Sequence, residues 1–352
     1  MLSKRRISII IVIAFLAVIS LVFIWCTTSS SSKSSKLSKV YIKNQGHAQG
    51  TTYSAIYLQP NGIDLQSKID STFREIDLSL SIYTPNSIIS KINNNNDSVR
   101  TDHHFEYVFN TAAEISARTK GAFDITVGPL VKAWGFAFGN KNHNHNQLPV
   151  VADYLPIIGY KKVQLKNHRL LKDDQRILID VNAIAQGYTA DVMGQLLEKN
   201  GCSNYIFEIG GEIVCKGVNE SGTMWKIGID KPIDDSTGTV KELQSVLSLS
   251  NNAITTSGNY RKYYYKNRKK YAHHIDPRTG YPIVHNLLSV TVIAPKGIVA
   301  DAYACSFMVL GMDSAMKIYK FIPGMECYFI YVDSNGNQNV KYTPGFKKFL
   351  SH

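Results

Sequence analysis

The densest grouping of chemically able side chains in the sequence is His273-His274-Ile275-Asp276-Pro277-Arg278-Thr279-Gly280. Imidazole, carboxylate, guanidinium and hydroxyl groups lie side by side there, a set suited to moving a proton. Pro277 fixes its own φ and pushes Asp276 toward extended backbone, and Gly280 admits a left-handed turn. The local chain is therefore stiff, as it must be to aim a base at a substrate. The same residues also describe an ordinary Asp-Pro-x-x-Gly turn with a histidine beside it, and spacing alone does not separate the two.

Four other segments depart from simple core or surface patterning. Gly121-Ala122-Phe123-Asp124-Ile125-Thr126-Val127-Gly128-Pro129 precedes an apolar helix ending at Trp134-Gly135-Phe136. Its Gly and Pro allow close backbone approach to a ligand, and Asp124 sits among apolar neighbours. Asp180-Val181-Asn182-Ala183-Ile184-Ala185-Gln186-Gly187-Tyr188 joins a strand end to a helix start, where free N–H groups and the helix dipole suit an anion. Capping by Asp180 or Asn182 is the plainer explanation of the same residues. Thr255-Thr256-Ser257-Gly258-Asn259-Tyr260 reads as a polar, Gly-containing turn. Ala300-Asp301-Ala302-Tyr303-Ala304-Cys305 places a carboxylate in an otherwise apolar helix, either as a cap or, with further oxygens, as a ligand for a hard cation. His143-Asn144-His145 has a metal-like spacing but lies in an Asn-rich stretch without nearby acids or cysteines, and it reads as a solvent loop.

The elements that must position these groups follow from apolar spacing. Helical periodicity covers 65–80, 105–119 and 183–200, where Asn200-Gly201 supplies a stop, and 298–310 reads as a buried helix. Strands are expected at 205–209, 212–216, 225–229, 245–249, 287–294, 326–332 and 340–342. Helices and runs of strands mix without strict βαβ alternation, which predicts an α+β fold. With no Gly/Pro/Ser linker and no internal repeat after Val40, residues 40–352 read as a single compact catalytic body. Cys202, Cys215, Cys305 and Cys327 show no CxxC or zinc-type spacing and read as buried thiols.

The net charge of +12 marks a surface attractive to anions such as phosphates or anionic lipid. The dense basic run from Arg261 to Lys270 interleaves with Tyr263, Tyr264, Tyr265 and Tyr271. That is a pattern of nucleic-acid binders, but it reads better as a hairpin around Lys266-Asn267-Arg268. Residues 1–26 form a targeting segment: Lys4-Arg5-Arg6 precedes an apolar run from Ile7 to Trp25. At about 1.5 Å per residue that run approaches the roughly 30 Å of a bilayer core. Cys26 follows, then a Ser/Lys-rich tether over 27–39. The body is expected to be exported and tethered to the cytoplasmic membrane, with the positive end inside. The anchor is either a lipid on Cys26 or the uncleaved helix, since Phe23-Ile24-Trp25 is bulky for a lipoprotein cleavage site.

Taken together the motifs resemble the FAD:protein FMN transferase family, long labelled thiamine-biosynthesis lipoproteins. The resemblance runs from about Gln49 to Gly311. It is strongest at 121–136, 180–191, Glu208-Ile209-Gly210-Gly211-Glu212, 256–260, 273–280 and 300–311. It implies a T-fold-like arrangement of mixed helices and antiparallel strands. It also implies an enzyme that binds FAD with Mg²⁺ and moves FMN onto a Thr or Ser hydroxyl of a partner protein, releasing AMP. Such partners are typically membrane redox subunits with a Ser/Thr-Gly-Ala-Thr-like acceptor motif. By motif position the flavin would lie against Gln49, Tyr83, Ala122, Phe123 and Asp124. Asp180 and Gln186 would contact FAD, and Ile275 would touch it through backbone. The metal ligands would be the carbonyl of Ala183, the carboxylate of Asp301 and the side chain of Cys305.

The base of that family stands three residues before the Asp-Pro pair, which is His273, leaving His274 to packing. Three residues depart from the family pattern. Gln49 stands for the usual Met, Gln186 for Lys or Glu, and Cys305 for a Thr ligand. A thiol is a poor partner for Mg²⁺, so water or Ser306 is the expected substitute. Two other readings use the same residues: an FAD pyrophosphatase with water as acceptor, and a non-catalytic flavin-binding lipoprotein.

Overall fold

The computed structural model describes residues 40–137, 148–233, 242–260 and 263–351. The targeting segment, Cys26, the His143-Asn144-His145 stretch and Arg261 lie outside them. The first hairpin pairs β1 (Tyr41–Ala48) with β2 (Thr51–Leu58), Ala48 opposite Thr51. Gln49 and Gly50 close it, both at positive φ (50° and 74°), the two-residue turn that matches strand twist. Helices α1 (Gln66–Leu80), α2 (Ile88–Asn93), α3 (His103–Arg118) and α4 (Gly128–Ala133) follow. A short ribbon, β3 (Val163–Lys166) and β4 (Arg169–Lys172), leads to α5 (Ala185–Lys199).

Next come β5 (Tyr205–Ile209), β6 (Glu212–Lys216), β7 (Trp225–Asp230), β8 (Leu243–Leu249) and β9 (Asn252–Gly258). After them lie β10 (Tyr263–Lys266), β11 (Lys269–Ala272), β12 (Leu287–Ala294), α6 (Gly297–Leu310) and α7 (Met312–Ile318). β13 (Glu326–Val332) and β14 (Gln338–Tyr342) close the chain. Eight strands form one antiparallel sheet in the order β1-β2-β5-β6-β9-β12-β13-β14. The fold is α+β, as expected.

The sheet is covered on both faces, which explains why β12 is buried on both sides. Phe207, Ile209, Val290, Val292 and Phe329 face the layer containing α1, α3, α5 and α6. Ile254, Ile293, Tyr328 and Ile330 face the other way, under the β7–β8 ribbon and Phe346. A satellite core of Leu130, Trp134, Val151, Ile158 and Ile275 lies beneath the 273–280 loop. Thr255 and Thr256 lie inside β9 rather than in a turn. The sequence reading erred there because β-branched Thr suits a strand, and β12 pairs with both residues, Thr255 opposite Val292 and Thr256 opposite Thr291. Among the described residues no helix is long and apolar enough to cross a membrane.

Candidate active site

The site-bearing residues fall in two regions joined by one loop. The first is the crossing of α5 and α6. A Cβ on Gly187 would lie 2.3 Å from the carbonyl oxygen of Gly297, and one on Gly297 would lie 2.5 Å from that of Gly187. Only glycine permits so close a backbone approach. It brings the buried carboxylate of Asp301 against the start of α5, where the Gly187 N–H donates to its Oδ2 at 2.9 Å. Asp191 on α5 in turn receives the Gly297 and Ile298 N–H groups at 2.6 and 2.9 Å. Each helix thus supplies the carboxylate that caps the other. Burial raises the pKa of Asp191 to about 6, against the pull of its backbone bonds and of Lys296. Burial and then the charge of Asp191 raise that of Asp301.

Cys305 stands one turn beyond Asp301 on the same face of α6. Burial, with the charges of Asp301 and Asp180 behind it, pushes its thiol up to about 12, so it is a neutral S–H at working pH. Asp180 is held from two sides: its N–H donates to the Ile125 carbonyl of the 121–128 loop at 2.7 Å, and its carboxylate accepts the Asn182 N–H at 2.9 Å. The Asn182 amide reaches the Tyr83 hydroxyl at 3.0 Å. Tyr83 therefore lies beside Asp180, whose charge adds to burial in raising the phenol pKa. Gln186 packs at the Gly210 turn with Glu212, its Nε2 3.1 Å from where a Gly210 Cβ would stand. Gln49 donates to Thr189 of α5 at 3.0 Å and to Asp77 at 3.3 Å. The structure thus gathers Gln49, Tyr83, Asp180, Gln186, Asp301 and Cys305 around the first turns of α5.

Two expectations change here. Helix α5 begins at Ala185, not Ala183, because 181–184 form a turn in which the Ile184 and Ala185 N–H groups both donate to the Val181 carbonyl. Neither Asp180 nor Asn182 caps it; with the Gly187 N–H given to Asp301, less of that helix end is open to an anion than its sequence suggested. Ser306, offered as a substitute ligand, is buried and donates to the Ala302 carbonyl at 2.5 Å. Asp191 was not singled out from sequence; its signal was an acidic residue four after Gly187, one helical turn away.

The second region is the 273–280 loop. The Asp276 carboxylate accepts its own loop's Arg278 N–H at 2.9 Å and a two-toothed guanidinium contact at 2.8 and 2.7 Å. Gly280 takes φ 78° and returns its N–H to the Asp276 carbonyl at 2.7 Å. The buried indole of Trp134 donates to the Gly280 carbonyl at 2.8 Å. Two ladder bonds, from Asp276 N–H to Tyr281 and from Ile283 N–H to His274, fix the flanks. Ile275 is buried in the satellite core, and His274 is buried as well. The half-buried His273 ring lies 4.1 Å from that of His274 and edge-on to Phe136.

The 121–128 loop connects the regions. Arg278 packs over Gly121, whose φ of 80° admits the turn, and Ile125 holds Asp180. Asp124 is buried and accepts from the Thr126 N–H (2.8 Å), the Thr126 hydroxyl (2.7 Å) and the Tyr160 N–H (2.6 Å). Burial raises its pKa in spite of those bonds. Its carboxylate is committed to shaping the loop. The side chains of Ala122 and Phe123 are buried too.

Among the described residues no group of three or more His, Cys, Asp and Glu is arranged to hold a metal. The expected set rests instead on one carboxylate and one carbonyl. A hard cation fits them in part, since a buried carboxylate beside a second one gains from positive charge. The neutral Cys305 thiol does not fit.

Residues 49–329 match the ApbE family. The chain is 33% identical over 319 residues to the FAD:protein FMN transferase of Haemophilus influenzae, covering 87% of this chain and 91% of that protein. It is 34% identical over 282 residues to the Vibrio cholerae protein of the same name, covering 78% and 82%. The solved flavin transferase ApbE of Vibrio cholerae superposes with a TM-score of 0.77 at 32% identity, covering 88% of this chain and 99% of that one. The ApbE protein of Thermotoga maritima gives 0.76 at 26% identity, with 89% and 100% covered. The chain belongs to the ApbE family and is an enzyme.

Proposed function

We propose that this protein moves the FMN half of FAD onto a Thr or Ser hydroxyl of an acceptor protein and releases AMP. The observation that carries the reading is one continuous path. The Asp301 carboxylate and the 180–186 segment connect through the 121–128 loop to a rigid loop presenting His273. The relatives' shared name, FAD:protein FMN transferase, supports it. The acceptor hydroxyl oxygen attacks the phosphorus of the FMN half, and the bond from that phosphorus to the AMP phosphate breaks. His273 takes the hydroxyl proton and passes it to solvent, a role that typically contributes about 10²–10⁴ in rate. Asp180, Gln186 and Tyr83 bind and orient FAD, with Gln49 beside α5. The 121–124 backbone and Ile275 line the flavin.

Mg²⁺, held by Asp301 and the Ala183 carbonyl, would neutralise charge on the phosphate oxygens when bound. Residues 1–26 and 27–39 serve as export signal and tether. They place the 40–352 body on the extracytoplasmic side of the cytoplasmic membrane, with Cys26 as the lipid-bearing residue and a membrane redox subunit as acceptor. Incubating the protein with FAD, Mg²⁺ and an acceptor domain bearing a Ser/Thr-Gly-Ala-Thr motif tests the reaction. Covalent fluorescent flavin on the acceptor is the expected product. AMP with free FMN alone would make it a hydrolase, and neither product would make it a carrier.

A further inference from the structure

The β10–β11 hairpin ends at Ala272, immediately before His273. Its register, Tyr264 opposite Tyr271 and Tyr265 opposite Lys270, gives it two distinct faces. The inner face is rooted: Tyr264 stacks on Tyr271 (5.4 Å) and Tyr271 on Trp134 (5.6 Å). Trp134 also holds the Gly280 carbonyl, so hairpin and catalytic loop share one anchor.

The opposite face and the tip have no such role in the core. Tyr265 is 60% exposed, and beside the loop Tyr281 is 56% and Val284 74% exposed. Tyr281 meets the same Trp134 edge-on. The turn holds Asn267 and Arg268 at φ 49° and 64°, where glycine is preferred at the second position. Arg at a strained tip is a choice the fold does not require. Residues 263–272 carry Lys266, Arg268, Lys269 and Lys270 and no acid. Exposed tyrosine, arginine and an apolar residue around a rigid site match the composition of protein-binding hot spots.

We propose that the tip and outer face of this hairpin, with Tyr281 and Val284, form the docking surface for the acceptor protein. The inference rests on the transfer reaction proposed above. The occupant is an acceptor whose surface around its hydroxyl is acidic, so that the cations of the hairpin steer it and Tyr265 anchors it beside His273. None of these residues is among those proposed above to hold FAD.

The test uses the full-length enzyme with FAD, Mg²⁺ and the acceptor domain of a membrane redox subunit carrying the Ser/Thr-Gly-Ala-Thr motif. Tyr265→Ala and the Arg268→Glu/Lys269→Glu double variant should each raise the KM for acceptor by about tenfold, the loss of one hot-spot contact. The kcat and the KM for FAD should stay at wild-type values, and added salt should raise the wild-type acceptor KM but not that of the charge-reversed variant. An unchanged acceptor KM, or a raised FAD KM instead, overturns the proposal. If the wild type labels no acceptor, the transfer reading fails. Binding of that domain to wild type and variants by biolayer interferometry then decides the hairpin: weaker binding by both variants supports it, and equal binding overturns it.

Discussion

At the helix crossing, Asp191 and Asp301 are held by backbone N–H groups that α5 and α6 give one another across two glycines. On the 273–280 loop, Asp276, Arg278 and Gly280 are held by hydrogen bonds within their own loop and by the Trp134 indole. The crossing is built into the core, so its charges are desolvated and their pKa values move. The loop lies on a small satellite core, which leaves its histidine half-buried and reachable. The difference matches the division of labour proposed above: charge for a phosphate region is stored deep, while the proposed proton acceptor stands where a second protein can reach it.

Gly187→Ala strikes the crossing hardest. Its methyl has no room against the Gly297 backbone, so about 3 kcal/mol or more of stability should go, with FAD binding lost alongside. Chemical denaturation and FAD titration read both, and a variant as stable as wild type would mean that the helices part easily.

The pH response separates the regions next. Asp191 has a pKa of about 6 in the fold against 3.8 as a free group. Its folded form binds the proton more tightly, so its stabilising effect is present below about pH 4 and lost as pH rises through about 6. Over that window the Mg²⁺-free wild type should lose up to about 3 kcal/mol relative to Asp191→Asn. Parallel pH profiles would contradict the burial argument.

Trp134→Phe acts on the loop and on the hairpin rooted beside it, away from the helix crossing. Leaving the Gly280 carbonyl without its donor should cost about 1–3 kcal/mol. It should also lower transfer while FAD affinity holds; equal losses of both would dissolve the distinction between the regions. Smallest is Cys305→Thr, which exchanges a neutral thiol for a hydroxyl. Mg²⁺ should then be needed at lower concentration for the same rate, and an unchanged Mg²⁺ titration would remove Cys305 from the metal's surroundings.

Much of this fold is legible in the sequence. β5, β6, β12 and β13 match the expected bounds because their apolar runs end at sharp polar or glycine punctuation. β9 is not legible, since Thr255, Thr256 and Ser257 look polar until their pairing with the buried β12 makes them strand. Gly280 announces its own left-handed turn. The capping across the helix crossing is hidden because Asp191 and Asp301 are far apart in sequence and each looks, on its own helix, like a misplaced charge. Asp124 hides its partners in a different way: a lone acid among apolar residues reads as a ligand group, and only the fold shows its oxygens accepting from Thr126 and Tyr160.

The central claim is that His273 supplies the base for transfer and nothing else. With FAD, Mg²⁺ and acceptor domain in place, single-turnover labelling by His273→Ala should fall about 10²–10⁴-fold. FAD affinity and thermal stability should remain those of the wild type. Labelling at the wild-type rate would contradict the assignment.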